Sequence, residues 1–184
     1  MKVETEVFIE ELAILVREHL KFAENLKNKP ESALNNRLSN NSWSVLECIE
    51  HLNLYGNFYL PEINNRITQS VTTPQPFFKS GWLGNYFANS MLPKNKLNKM
   101  KTFRSMNPIH SKLTQKTLDD FIVQQIQLSE LLNRAKKVDL NKIKTSISIT
   151  PLLKLRLGDT LRIVIYHNKR HIVQAQNVLK NHSE

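Results

Sequence analysis

Three histidines stand out as the residues of this chain best suited to chemistry: His167 and His171, four residues apart, and His51 far upstream. On a helix a four-residue step places two side chains on one face about one turn apart, so these two imidazoles can share one ion. Such a pair alone also fits two hydrogen-bonded or exposed histidines, and it gains meaning when His51 joins it. His51 lies within one turn of Leu52 and Tyr55, on the core-adjacent side of its helix. Three imidazoles from two facing helices leave one or more coordination positions open, as a catalytic centre needs and a closed structural site does not. The donor set accepts zinc, nickel, manganese or iron. A bound divalent ion favours the anionic form of its next ligand, making a thiol a thiolate or bringing water toward a neutral pKa. Thiol transfer and hydrolysis are both accessible to it.

Other side chains near these positions each have two readings. Glu47, one turn before His51, could act as a general base or hold a ligand in place, but Ser44 and Glu47 also form a capping-box pair, which is the first reading. Tyr55, one turn after His51, could donate a hydrogen bond to substrate, and an aromatic at that spacing also suits a core. Gln174, three residues after His171, could orient a ligand or water, or lie on the helix surface. Arg170 falls on a different face from the histidine pair, where it could meet a carboxylate. His19, His110 and His182 have no partners at useful spacing and are read as ordinary polar positions.

The elements that must position these residues follow from periodicity. Apolar side chains at Phe8, Leu12, Leu15, Val16, Ala23 and Leu26 make one helical stripe, so Val7 to Leu26 is helix one, ended by Asn28 and Pro30. A polar connection from Glu31 to Ser42 leads to the capping box, with Trp43 placed to pack back as a staple. Helix two runs through Val45, Ile49, Leu52, Tyr59, Ile63 and Ile67, with a bend expected at Pro61. Prolines and glycines scattered between residues 68 and 112 exclude a long helix there, although Trp82 to Leu92 allows a short one. Helix three is expected from about Thr114 to Lys137. A linker follows in which the alternating isoleucines of Ile143 to Pro151 suit a brief extended stretch. Gly158-Asp159-Thr160 then opens helix four, with Asp159 as its cap, and that helix carries His167 and His171. The expectation is an all-α fold: a four-helix bundle, residues 1–184 forming one domain, with a long irregular connection between helices two and three.

Composition sets the outer limits. The chain has 184 residues and one cysteine, Cys48, which cannot close an internal disulfide, so a reducing compartment fits. No basic start followed by an apolar stretch opens the chain, and no apolar run approaches the roughly 20 residues that cross a bilayer. A cytoplasmic protein without membrane insertion is expected. The net charge is +10, yet residues 63 to 118 hold nine basic side chains and no acidic one. This middle segment, with Lys94, Lys96, Lys99, Lys101 and Arg104, is where an anionic partner would go. Between 77 and 104 the lysines interleave with Phe77, Phe78, Trp82, Tyr86, Phe87 and Phe103. That pattern could serve a non-enzymatic protein binding nucleic acid or other anions, or it could form a lid over the open end of the bundle. None of the established nucleic-acid motifs is present, which favours the lid.

Two stretches carry a family resemblance. Trp43-Ser44-Val45-Leu46-Glu47-Cys48-Ile49-Glu50-His51-Leu52 and Tyr166-His167-Asn168-Lys169-Arg170-His171-Ile172-Val173-Gln174-Ala175 resemble, in order and separation, the two signature stretches of the DinB-like superfamily. The resemblance covers nearly the whole chain, and Phe78 to Met106 looks like the long loop of one DinB-like subgroup. It implies a four-helix bundle, often a homodimer, with His51, His167 and His171 matching the metal ligands. It also implies a range of activities that includes thiol transferases using bacillithiol or mycothiol. On that basis the expected function is thiol-dependent S-transfer, a divalent metal activating a low-molecular-weight thiol for attack on an electrophile. A metal-dependent hydrolase, or a bundle whose metal only joins helices two and four, are the alternatives within the same site.

Overall fold

A computed structural model describes residues 1–93 and 101–181. Lys94, Lys96 and Lys99 of the basic segment, and His182, lie outside the described residues. The chain is predominantly helical. Four long helices, α1 (Thr5–Leu26), α3 (Val45–Thr68), α5 (Lys116–Ala135) and α6 (Leu157–Asn181), pack in a closed cycle in which α1 and α3 each touch both α5 and α6. Two short helices, α2 (Glu31–Asn35) and α4 (Trp82–Met91), lie in the connections.

The start of α3 shows how local chemistry sets an element. Ser44 Oγ accepts from the Glu47 amide at 3.2 Å, and the Ser44 amide donates to Glu47 Oε2 at 2.7 Å, which satisfies two helix-end donors. Arg37 then donates to both Glu47 oxygens at 2.6 and 2.8 Å, and the His110 amide donates to Oε1. Glu47 is fully buried, so this set of donors is what keeps an ionised carboxylate tolerable there. The helix continues through Pro61 to Thr68.

An all-helical reading needs one correction, since two small sheets flank the helices. Strand β1 (Lys2–Glu4) pairs antiparallel with β2 (Phe77–Lys79), Val3 opposite Phe78. Phe78 is fully buried against Phe8, ring centroids 4.6 Å apart. Its ring also lies so close to Gly158 that a Cβ there would fall 2.5 Å from it, so only glycine fits. Strands β3 (Lys144–Ile147) and β4 (Thr150–Arg156) form an antiparallel hairpin with a register shift at Ser146/Ile147, in line with the extended stretch expected from the isoleucines.

The connection from α3 to α5 holds the short helix the sequence allowed at Trp82 to Leu92, as α4, and beyond that expectation β2 and a 3-10 turn at Arg104–Met106. Asp159 explains part of that order and corrects a second expectation. Strand β4 runs directly into α6 at Leu157, so Asp159 sits inside the first turn instead of capping it. Its carboxylate accepts from Ser80 Oγ and, at 2.8 Å, from the Gly81 amide at the start of α4. Arg162, one turn on, donates to Asn85 and Asn89, each at 3.1 Å. These buried groups pin α4 to α6. Gly84 lets the two approach, for a Cβ would meet Asp159 Cγ at 2.2 Å.

Apolar packing divides into two large clusters along the long helices and a small third one. The third contains Ala88 of α4, Ile147 and Leu155 of the hairpin and Ile163 of α6, with Phe87 and Met91 against it. Among the described residues no helix is long and apolar enough to cross a membrane.

Candidate metal centre

Helix α3 brings His51 to α6 where His167 and His171 project. Among the described residues these three form the one group of metal-ligating side chains, with one donor atom from each lying within 4.8 Å of the others. Their ring centroids are 4.5 to 5.0 Å apart, with His171 edge to face on both His51 and His167 and the His51–His167 pair tilted.

Hydrogen bonds decide which nitrogens point inward. His51 Nδ1 lies 2.6 Å from the Met106 carbonyl oxygen, which can only accept, so Nδ1 carries the proton and Nε2 keeps its lone pair. His171 Nδ1 likewise donates to Gln174 Oε1 at 2.9 Å, leaving Nε2 free. His51 Nε2 is 3.2 Å from His167 Nε2. Two nitrogens bound tetrahedrally to one zinc ion would stand roughly 3.3 Å apart, given bonds of about 2.0–2.1 Å. The donor set therefore fits a divalent ion without rearrangement of this pair. A histidine whose far nitrogen is held by a carbonyl or amide oxygen is also the usual arrangement behind metal ligands.

Electrostatics agree. Burial pushes His51 down to about 4, partly offset by the Met106 carbonyl. Burial, with the neighbouring His51, pushes His171 down to about 3 against the opposing effect of Gln174. His167 is held well below the ordinary histidine value by burial first and then by His171, His51 and Arg170. All three are neutral near pH 7, the form in which imidazole binds a metal.

The histidines open onto a cavity of about 800 Å³, within the range of small-molecule sites. Trp43 forms one wall, its ring centroid 4.7 Å from that of His51 and 5.6 Å from that of His171, and its Nε1 donates to Asn107 at 3.0 Å. It is thus a wall of the site as well as a residue packed beside the helix start. Tyr55 lies 4.9 Å from His51 and 4.7 Å from His167 by ring centroid, and burial raises its pKa, so its hydroxyl stays a donor.

The remaining candidates separate clearly. Gln174 accepts from His171 Nδ1 and so fixes the orientation of that ring. Glu47 has both carboxylate oxygens committed to Ser44, Arg37 and His110, which leaves it the capping role. Arg170 departs from expectation: it is buried on the cavity wall alongside His167 and His171, because the wall wraps around more of α6 than one face. Cys48 is buried in the core, where burial pushes its thiol pKa up, so it is no nucleophile. His19 is also buried and apart from the cluster, while His110 occupies a left-handed turn with φ of 63°. The aromatic segment splits three ways: Phe78 into the core, Phe87 and Phe103 onto the cavity, and Trp82 and Tyr86 outward into solvent.

Sequence reasoning missed the Met106 carbonyl and the hairpin wall. The first is a backbone atom and carries no residue signature. The second was legible only as an extended stretch, with nothing to say what it faces.

Residues 14–175 match the family described as the DinB superfamily, a span that contains all three histidines. No curated protein and no solved structure matches the chain.

Proposed function

The chain belongs to the DinB superfamily, and from that premise we propose that it is a metal-dependent thiol S-transferase. In this reading the closed cycle of α1, α5, α3 and α6 is the four-helix bundle of the family, and His51, His167 and His171 are the metal ligands. The observation that carries it is the pair of Nδ1 hydrogen bonds, to Met106 O and Gln174 Oε1, that aim two neutral imidazoles at the space His167 faces. When bound, a divalent ion supplies the Lewis acidity that favours a thiolate or a hydroxide at neutral pH.

The chain's own residues do the rest. The Met106 carbonyl and Gln174 hold the ligand rings in one tautomer. Tyr55 keeps a donor beside His51 and His167. Arg170 and Lys101, both on the cavity wall, favour an anionic ligand. With Cys48 sealed in the core, the sulfur must come from a small-molecule thiol. In the transfer its S–H proton passes to solvent, a C–S bond forms at the electrophile, and the leaving group departs with its electron pair.

The test is metal content of the native protein beside His51→Ala and His171→Ala variants, with thioether formation from a small thiol and an alkyl halide assayed in parallel. The expected result is loss of metal and of thioether together. Unchanged stoichiometry in both variants would remove the metal reading. A metal-loaded protein inert toward every thiol and electrophile pair, yet cleaving esters without thiol, would replace transfer by hydrolysis at the same ligands. The reading also includes a homodimer, which sedimentation measures directly.

A further inference from the structure

The cavity has two unlike ends, joined by a line of aromatic rings. At one end stand the three histidines and Trp43. From there Tyr55 stacks on Tyr59 with centroids 6.4 Å apart, and the Tyr59 hydroxyl lies 3.1 Å from Ser148 Oγ and accepts from the Ser148 amide at 3.2 Å. Ser148 lies at the turn of the β3–β4 hairpin, so this row of contacts runs from the metal centre to the hairpin. The far end is the third apolar cluster, where Ile147, Leu155, Ile163, Phe87 and Met91 all line the cavity.

Helix α6 gives the same gradient on a fixed scale. Ile163 at the apolar end and His171 at the metal end are eight positions apart, about 12 Å of helix axis. Between them no lining residue is acidic: among the described residues around the cavity the charged ones are Arg170, buried, and Lys101. At the far end the lining from α4, the hairpin and α6 is mostly apolar, and the Tyr59 and Ser148 hydroxyls there are already bonded to each other, so the wall offers a small hydrophilic substrate few partners and matches the body of an apolar one.

We infer that this site takes an organic anion with an extended apolar body, its charged head at the His51, His167 and His171 end and its chain along the wall made by α4 and the hairpin. The inference rests on the reading of that end as the reactive centre and names the class of molecule that occupies it. The head is a carboxylate or thiolate, since the cationic wall residues Arg170 and Lys101, and any divalent ion the three neutral histidines would hold, favour an anion there. The chain is about as long as a medium-length acyl group.

Calorimetric titration of the full chain, as purified and with its metal content measured, tests this with four probes: acetate, hexanoate, decanoate below its micellar concentration, and decylammonium. Decanoate should bind more than tenfold tighter than hexanoate, because it buries four more methylenes, while acetate and decylammonium bind weakly or not at all. Two substitutions at the far end, Ile149→Asp at the half-exposed hairpin turn and Phe87→Ala, should each weaken decanoate at least fivefold and leave metal content unchanged. Equal affinity for acetate and decanoate, decylammonium binding as tightly as decanoate, or decanoate binding untouched by both substitutions would each overturn the inference. These outcomes are independent of the proposed reaction. A protein without metal that still ranks the carboxylates by length loses the transferase reading and keeps this one, and a metal-loaded transferase that ignores chain length does the reverse.

Discussion

Among the described residues buried histidine occurs in two places, and the two differ in how their polar atoms are satisfied. Between α3 and α6, His51 and His171 each spend one nitrogen on an oxygen and turn the other toward His167. On α1, His19 is equally buried, at 2% exposure, but among the described residues neither of its ring nitrogens makes a well-formed hydrogen bond, and only Gln125 stands close enough to offer a weak one. Burial alone pushes both kinds of histidine far below the usual value: His19 to about 3, with Lys169 adding to the effect and Gln125 opposing it. A depressed pKa is therefore no signature of function in this protein. What sets the cluster apart from the trapped imidazole is convergence: nitrogens from different helices meet at one point, with the opposite nitrogens of His51 and His171 held.

The largest test of this contrast is removal of one histidine from each place. His167→Ala should abolish stoichiometric metal binding, measured by elemental analysis, whereas His19→Ala should leave one equivalent bound per chain. Metal lost equally from both would erase the distinction. Next in size is the oxygen behind a ligand. Gln174→Leu frees the His171 ring to turn, and a fall of roughly 10- to 100-fold in zinc affinity is expected in competition with a chromophoric chelator. An unchanged affinity would mean that packing alone orients the ring.

Acid gives a third, smaller effect. In the unfolded chain His19 takes up a proton below about pH 6.5, whereas in the folded chain it does so only near pH 3. The unfolded state thus binds more protons across that window, and stability falls as the pH drops through it. By pH 5 the loss from this one group is about 2 kcal/mol relative to neutral pH. Chemical denaturation of the metal-free protein at pH 7.5 and pH 5 should show it, and His19→Leu should remove that portion of the difference. Smallest of all is the effect of His19→Leu at pH 7.5. Replacing a poorly satisfied buried imidazole, whose one weak partner is Gln125, by an apolar group of similar size should leave stability within about 1 kcal/mol of the parent.

Much of the helical frame was legible because its signals are local. The Ser44–Glu47 pair marks the start of α3 by its own spacing, and the apolar stripes of α1 and α5 place those helices without outside help. The His167/His171 pair is legible for the same reason, since a four-residue step on a helix fixes a common face. Signals that depend on a distant partner were not. Strand β1 is three residues long with only Val3 facing inward, and its existence depends on Phe78, 75 positions later. Asp159 follows a glycine and precedes a threonine, the local pattern of a cap, but the strand before it enters the helix without a break and frees its carboxylate for Gly81. Arg170 was read onto a different face from the histidine pair because spacing gives an angle around the helix and says nothing of how far the walls of a cavity wrap it.

The pinning of α4 to α6 by Asp159 and Arg162 has a consequence for how such a protein could diversify. The histidine end is built from α3 and α6, two of the four long helices whose side chains make the two large apolar clusters. The far wall is built from α4 and a hairpin, which meet the rest of the molecule through a handful of buried polar groups and one small apolar cluster. Sequence drift in that outer module would change which molecules are admitted while the histidines stayed where they are. The anchor at Asp159 acts like a coupling between a fixed tool and an exchangeable grip, so a lineage carrying this architecture could alter its preferences without having to reinvent its chemistry.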